Sequence, residues 1–375
     1  MAQSTNDNTH LVVVALETFF VPVPAFALPA PYTYELREYA RTRPDQVAER
    51  IRDADVLIMT VLPIGADVLR PEVSPRLRMV AVVASGTDSV DLAACRRRGI
   101  VVANTPHCNA VSVAEHALAL YFAARRSVVL SHTLVRAGAW PRMGVLQEVL
   151  NGPDGRPPRT CREETLGIVG YGAVGKALEA AAKGLGMKVL IAGRKGSPTV
   201  PNGRATDGEN GSVSKVLEAT AAGSPMKTST PGTEDSAAPE GRTAFDTLIR
   251  ESSVIALCLP RSPETLNLIS EAELDAMKPY AVIVNVSRGG IVDEKALVAA
   301  LKARKIAGYG TDVYEQEPAS AENSPLVGPD TADLNVVTTP HVAWCASDTI
   351  DNYNRATKEN IEGWLRTGRP KYPVI

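Results

Sequence analysis

Cysteine is scarce in this chain of 375 residues, and the five cysteines are scattered with no C-x-x-C pair among them. An odd and sparse set of cysteines argues against a disulfide framework and against a structural zinc site, so we expect no metal. Reduced thiols are typical of intracellular proteins, and the cytoplasm is therefore the expected location.

The chain also lacks a large excess of charge of one sign and any long apolar run. The formal net charge is only −2 at pH 7, which argues against partners bound through bulk electrostatics. The N-terminus lacks a basic stretch, and the apolar run at 11–16 is too short for a signal peptide or a membrane helix. We therefore expect neither nucleic acid nor a membrane as a partner.

What the sequence does contain is an alternation of short apolar runs with helical patterns. Hydrophobic residues make up 45% of the chain, enough for packed cores, and the length favours two domains. A helix at 112–126 has Ser112 as its predicted N-cap, with Glu115 completing a capping box. Before it, the patterns predict strands at 11–15, 55–60, 78–84 and 99–103 and helices at 34–53 and 91–98, hence a parallel sheet.

The glycine fingerprint of dinucleotide-binding proteins lies further along the chain. A buried strand at 166–169 leads into a G-x-G-x-x-G turn, an Ala-rich helix and a second strand at 187–192. Such a βαβ unit places a pyrophosphate at the start of the helix, where free N–H groups and the helix dipole favour it. The predicted cofactor contacts in this turn are Gly170, Tyr171, Gly172, Ala173, Val174 and Gly175.

A polar segment interrupts the pattern after the second strand. Residues 196–241 are rich in Gly, Ser, Thr and Pro, and we interpret them as a largely disordered surface insertion, with a partner-binding role as the alternative. Beyond it, helices are predicted at 244–249, 271–277, 294–305 and 348–367, and strands at 253–259, 281–286, 307–313 and 335–338. These strands complete a doubly wound sheet.

Five local motifs resemble those of the D-isomer-specific 2-hydroxyacid dehydrogenase family. Residues 285–294 (NVSRGGIVDE), 310–318 (GTDVYEQEP) and 339–344 (TPHVAW) resemble its C-terminal signatures, and 86–91 (GTDSVD) and 112–116 (SVAEH) resemble two earlier elements. Trp344 also resembles the glyoxylate and hydroxypyruvate reductase branch, where it would line the substrate pocket. An aromatic that only fills a lobe interface is the alternative.

The resemblance implies an α/β fold with two lobes. A Rossmann doubly wound cofactor domain, 116–344, would be inserted into a smaller flavodoxin-like substrate domain made of 1–115 and 345–375. The active site would lie in the cleft between the lobes. A homodimer is also implied, through the helices and arm at 117–160.

The resemblance further implies which residues act. Arg288, at the end of a buried strand, suits the anchor of a carboxylate because a guanidinium offers two parallel donors. His341 suits the proton donor, and Glu317 would orient its imidazole. The other implied contacts are the backbone at Ser85, Gly86 and Thr87 for the substrate carboxylate, Leu259, Pro260, Val286 and Ser287 for the cofactor, and Asp312 for its nicotinamide end.

The residues that follow the second strand of the βαβ unit favour NADP(H) over NAD(H). An acidic residue near this point binds the ribose 2′-OH of NAD. The chain has Gly193 there, followed by Arg194 and Lys195. The missing carboxylate removes repulsion of a 2′-phosphate, and two cations attract it. The alternative is that both are ordinary loop charges and either cofactor is accepted.

The sequence therefore predicts an NADP(H)-dependent 2-oxo acid reductase, with glyoxylate or hydroxypyruvate as the first candidates. A bulkier aromatic or branched 2-oxo acid is the alternative, because one sequence does not size the pocket. Formate dehydrogenase is disfavoured because it pairs its histidine with glutamine, and phosphoglycerate dehydrogenase because the chain ends soon after the last helix. A co-repressor that senses nicotinamide nucleotides on the same fold is the rival from another class.

Overall fold

The computed structural model describes residues 9–196 and 241–375, and almost all of the predicted insertion lies outside them. The first of two sheets is built from the N-terminal part of the chain. Its strands are β1 (His10–Ala15), β2 (Thr33–Glu38), β3 (Val56–Met59), β4 (Met79–Val82) and β5 (Val101–Ala103), in the order β2-β1-β3-β4-β5. All neighbours are parallel.

The second sheet contains six parallel strands among the described residues. Three of them, β8, β9 and β10, are buried along their whole length, as expected where helices cover both faces of a sheet. The predicted α/β class with a doubly wound sheet is confirmed. The strands are β6 (Thr165–Val169), β7 (Lys188–Ile191), β8 (Val254–Leu257), β9 (Val282–Asn285), β10 (Gly308–Thr311) and β11 (Val336–Thr338), in the order β11-β10-β9-β8-β6-β7.

Ten α-helices occur in the described ranges. The third and the tenth carry the chain from one sheet to the other. The third packs on the second sheet through Ala117 and Leu120, and the tenth packs on the first sheet through Ile361 and Trp364. The helices are α1 (Val47–Arg50), α2 (Leu92–Arg98), α3 (Ala110–Arg125), α4 (Val128–Arg136), α5 (Ala139–Met143), α6 (Ala173–Gly184), α7 (Phe245–Glu251), α8 (Glu271–Ala276), α9 (Glu294–Lys302) and α10 (Ser347–Thr367).

Two local predictions are wrong. The predicted helix at 34–53 begins as the edge strand β2, because Tyr34 and Leu36 alternate onto the sheet core while the backbone pairs with β1. Only 44–50 is helical, as a 3-10 turn (Pro44–Gln46) followed by α1. Ser112 is not the N-cap of α3, which begins two residues earlier after Asn109. The hydroxyl of Ser112 instead donates to Asn109 O at 3.0 Å inside the first turn.

Candidate active site

The fingerprint glycines are explained by close backbone approach and by open space. Gly170 has a φ of +95°, and a Cβ there would lie 2.5 Å from the carbonyl oxygen of Cys258. A Cβ on Gly175 would lie 2.5 Å from Gly170 O. Nothing lies within 4 Å of a Cβ built on Gly172, which is the N-cap of α6 without a capping side chain. The first N–H groups of α6 are therefore left for a ligand.

A cavity of about 430 Å³ begins at this turn. It lies where β4, β8 and β9 end and α6 starts, which is where parallel sheets bind dinucleotides. Its position therefore fits the expected cofactor, while Gly170, Tyr171 and Gly175 belong to the turn but do not line the cavity. The predicted cofactor contacts that line it are Gly172, Ala173, Val174, Leu259, Pro260, Val286 and Ser287, together with Thr87 from the predicted substrate set.

The two cations that follow β7 differ in their surroundings. Lys195 Nζ lies 2.7 Å from Glu273 Oε1 and donates to Leu268 O at 3.3 Å. Its charge is thus already paired with a carboxylate, which lowers what it offers to a 2′-phosphate, and its contact with the cofactor stays a prediction. Arg194 is exposed.

A third cation, Arg242, reaches the same strand end, although the sequence pattern did not predict it. Its Nη1 donates to Ala192 O at 3.0 Å, and its guanidinium lies 5.1 Å from the ring centroid of Tyr171 in the fingerprint. The neighbouring Thr243 holds it there, because Gly193 N donates to Thr243 O at 2.7 Å. Arg242 follows the polar segment, so no local pattern could have placed it beside β7.

Arg288 lies in the turn after β9 and reaches towards the first sheet. The side chain of Asn285 shapes this turn, donating to Arg288 O at 3.0 Å and accepting from Ser287 N at 3.1 Å. Arg288 Nη1 donates to Ser287 O at 2.8 Å, and Nε donates to Asp88 Oδ2 at 3.2 Å. The guanidinium lies against Gly86, where any Cβ would overlap it.

His341 and Glu317 form a close pair, with Nδ1 and Oε2 separated by 2.6 Å. The other carboxylate oxygen accepts from Tyr314 N at 3.0 Å. Burial raises the pKa of Glu317, but the hydrogen bonds from His341 and Tyr314 N outweigh it and hold that pKa below its ordinary value. The carboxylate therefore stays charged at neutral pH and fixes the ring so that the other nitrogen, Nε2, is free to act on a substrate.

Asp312 anchors the loop that carries His341. Its Oδ1 accepts from Val342 N at 2.9 Å and from Thr339 Oγ1 at 2.7 Å, and its Oδ2 accepts from Ala343 N at 2.8 Å. His116 Nε2 lies 2.9 Å from Thr339 Oγ1. Asp312 is 1% exposed and lines neither cavity at the site, so its contact with a nicotinamide stays a prediction. This loop-holding role was missed, because the bonded residues are distant in sequence.

A second cavity, of about 790 Å³, contains the proposed catalytic groups. Arg288, Glu317 and His341 line it, as do Ser85, Gly86 and Trp344. Four residues border both cavities, so that the two meet: Ser85, Gly86, Asn109 and Arg288. Asn109 was not singled out from the sequence; its Oδ1 accepts from Ser85 Oγ at 3.1 Å. The structure thus brings the predicted substrate residues together beside the predicted cofactor residues.

Comparison with known proteins agrees with this geometry. A family model described as "D-isomer specific 2-hydroxyacid dehydrogenase, NAD binding domain" matches residues 118–224 and 211–343. The chain is 32% identical to a glycerate dehydrogenase of Methylorubrum extorquens over 345 residues, 92% of this chain and 93% of that protein. It is 35% identical to a glyoxylate reductase of Pyrococcus furiosus over 308 residues, 82% of this chain and 77% of that protein.

Solved structures share the fold along nearly the full chain. Protein TT0316 of Thermus thermophilus has a TM-score of 0.68 at 27% identity, covering 97% of this chain and 100% of its own. An NADPH-dependent glyoxylate/hydroxypyruvate reductase of Sinorhizobium meliloti, in complex with NADP and malonate, has a TM-score of 0.68 at 23% identity, covering 97% of this chain and 96% of its own.

Fold, site and matches define the class of protein, an NAD(P)-dependent oxidoreductase. The chain belongs to the D-isomer specific 2-hydroxyacid dehydrogenase family, and the resemblance drawn from its motifs is confirmed. In the part of the chain that the structure describes, no helix combines the length and the apolar character needed to cross a membrane.

Proposed function

We propose that this protein uses NADPH to reduce a 2-oxo acid to the D-2-hydroxy acid. The observation that carries the proposal is the His341–Glu317 pair, which lines the same cavity as Arg288 and adjoins the cavity at the fingerprint. The names of the relatives, glycerate dehydrogenase and glyoxylate reductase, support the same class of substrate.

Each of these side chains has a separate task in this proposal. Arg288 and the backbone at 85–87 bind the substrate carboxylate and its neighbouring carbonyl group, since a guanidinium and N–H groups supply converging donors. His341 donates a proton to the carbonyl oxygen through Nε2, and Glu317 stabilises the imidazolium from the opposite side. The bound nicotinamide supplies the hydride. Asp312 holds the loop so that His341 meets the carbonyl in one geometry.

The preference for NADPH is proposed from three residues at the end of β7. Gly193 supplies no carboxylate to repel a 2′-phosphate, and Arg194 and Arg242 supply two cations. Lys195 is left out because Glu273 already pairs with it. The alternative remains an enzyme that accepts either cofactor.

Cofactor variants test this preference. Arg194→Ala and Arg242→Ala are each expected to raise the KM for NADPH about tenfold and to leave that for NADH unchanged, in line with one lost charge-assisted bond. Gly193→Asp combined with Arg194→Ala should move preference towards NADH. Lys195→Ala is the matched control and should leave the ratio of the two KM values unaltered. Equal KM values for NADPH and NADH in the wild type would contradict the proposed preference for NADPH.

The domain division and the assembly are proposed from packing and exposure. We divide the chain into a substrate domain, 1–115 with 345–375, and a cofactor domain, 116–344. Exposed apolar side chains on α4 and α5, among them Val129, Trp140 and Met143, support a homodimer through 117–160. Trp140→Glu should then shift the protein from dimer to monomer in sedimentation, and a monomeric wild type would refute the dimer. The absence of a nucleic-acid partner and the cytoplasmic location stay predictions.

The rival proposal is a co-repressor that senses nicotinamide nucleotides. An assay of 2-oxo acid reduction distinguishes it from the proposed enzyme. We expect NADPH oxidation in the presence of 2-oxo acids, and His341→Gln should lose at least about 10³-fold in kcat while its Kd for NADPH stays within twofold of the wild type. Binding of NADPH without turnover of any 2-oxo acid would favour the sensor.

A further inference from the structure

The cavity that holds His341 combines three charged side chains with a largely apolar lining. The charged lining residues are Arg288, Glu317 and His341, which the proposed function assigns to the carboxylate and the carbonyl group of the substrate. We infer that the natural substrate carries a large apolar side chain, aromatic or branched, on its 2-oxo acid group. This inference rests on the proposed function and concerns only what fills the rest of the cavity.

Part of the apolar lining is an aromatic wall next to the catalytic loop. The ring centroids of Trp344 and Phe20 lie 6.1 Å apart, and those of Trp344 and Tyr353 lie 6.4 Å apart. Trp344 Nε1 donates to His341 O at 3.0 Å. Aromatic rings packed in this way hold each other in place, and the bond to His341 fixes the wall relative to the proton donor. A substrate side chain that packs on this wall is therefore oriented for the reaction.

A second wall comes from the turn after β3, which is held rigidly. The carboxylate of Glu17, only 8% exposed, accepts from the backbone N–H groups of Thr60, Val61 and Leu62 at 2.8, 3.0 and 3.2 Å. The side chain of Val61 lines the cavity and is 57% exposed. An apolar side chain that a fixed backbone presents to an open cavity is surface that a ligand can cover.

Several polar side chains in the cavity are already hydrogen-bonded within the protein. Ser85 Oγ donates to Asn109 Oδ1 at 3.1 Å, and Thr339 Oγ1 donates to Asp312. Among the described residues that line the cavity, Arg288 is the one lysine or arginine, and the proposed function assigns it to the first carboxylate. A second carboxylate or a phosphate on the substrate would thus be desolvated without a partner, which is costly.

The size of the cavity argues in the same direction. A volume of about 790 Å³ lies in the range of pockets that enclose drug-sized ligands. A two-carbon acid held by Arg288 and His341 would leave the aromatic wall and Val61 in contact with water. Each methylene group that covers this surface is expected to improve kcat/KM about fourfold, and a phenyl group about 10- to 150-fold.

The test is a substrate series with NADPH. We expect kcat/KM to rise from pyruvate through 2-oxobutyrate and 2-oxoisocaproate to phenylpyruvate, which should exceed pyruvate at least tenfold, with oxaloacetate below pyruvate. Glyoxylate and hydroxypyruvate are run beside them. If these two small acids exceed phenylpyruvate, the inference is wrong and the proposed reductase stands. If no acid in the panel is reduced, the proposed function fails and the inference fails with it.

A substitution tests the wall itself. Val61→Arg should lower the ratio of kcat/KM for phenylpyruvate over oxaloacetate about tenfold, because it removes apolar contact and adds a partner for the second carboxylate. Leu185→Arg, an exposed leucine at the far end of α6, is the matched control and should leave the ratio unchanged. Val61→Ser, which adds no charge, should lower phenylpyruvate turnover without improving oxaloacetate. An unchanged ratio in Val61→Arg with an unchanged Tm would overturn the placement of the substrate side chain.

Discussion

The anchoring of the catalytic loop by Asp312 leads to a sharp prediction for Asp312→Asn. The substitution keeps the volume but replaces one oxygen by an NH2 group. The orientation that suits Asn best leaves its oxygen at Oδ1, where it still accepts from Val342 N and Thr339 Oγ1. The NH2 group then faces Ala343 N, which donates to Oδ2 at 2.8 Å in the native chain. The NH2 group of the new asparagine and the backbone N–H of Ala343, both donors, would then face each other in the protein interior.

The cost follows from these three bonds. A buried N–H that loses its acceptor costs about 1–3 kcal/mol, and the two remaining bonds weaken by about 1 kcal/mol together when the acceptor loses its charge. The total is about 3 kcal/mol. For a sheet domain of this size, that corresponds to a Tm lower by about 6–12 °C. A shift of about 1 Å in the position of His341 would lower kcat about 100-fold.

Thermal unfolding, steady-state kinetics and NADPH binding by fluorescence check this prediction together. We expect a lower Tm, a lower kcat and an unchanged Kd for NADPH. Thr338→Ser is a conservative neighbouring control and should match the wild type. The reasoning is refuted if Asp312→Asn keeps its Tm but loses NADPH affinity, because the carboxylate would then serve the nicotinamide directly rather than the loop.

Three further predictions follow from the described contacts. The lowered pKa of Glu317 keeps its carboxylate charged above its ordinary value of 4.5, and the charge is lost only as the pH falls below that value. We therefore expect kcat to show no acid limb from Glu317 between pH 5 and 7, and a limb there would contradict the pairing. Arg125→Ala leaves the carboxylate of Glu164, which lies 2.6 Å from Arg125 in the native chain, buried and without its ion pair. The free energy of unfolding measured with denaturant should fall by about 3–5 kcal/mol, and a loss below about 1 kcal/mol would contradict a buried pair. Gly170→Ala should abolish NADPH binding in titration calorimetry, because neither its φ of +95° nor its close neighbours admit a Cβ; retained affinity would contradict the tight turn.

Short-range patterns carried most of what could be predicted. The fingerprint turn, the buried strands and the motif around Arg288 are local, because each depends on residues within about one turn or one strand of each other. The edge strand β2 was missed for the opposite reason: its pairing with β1 decides its conformation, and propensity alone favoured a helix.

Long-range pairings in the site could not be predicted from sequence. Nothing near Lys195 in the sequence indicates its ion pair with Glu273. Only the hydrogen bond from Arg242 to Ala192 O in the structure places Arg242 at the end of β7. Similarly, the family pattern singled out Asp312, but its bonded partners lie on a loop beyond the next strand. The same limit applies to the substrate, since the apolar wall is assembled from separate turns of both sheets.

Hydride transfer to a 2-oxo acid is the central claim, and isotope transfer measures it most directly. NADPH deuterated at both C4 positions is incubated with phenylpyruvate or pyruvate and the enzyme, and the product is analysed by mass spectrometry. We expect one deuterium at C2 of the D-2-hydroxy acid with the wild type and none above background with His341→Gln. NADPH that binds to the wild type while no deuterated hydroxy acid forms from any 2-oxo acid would contradict the account.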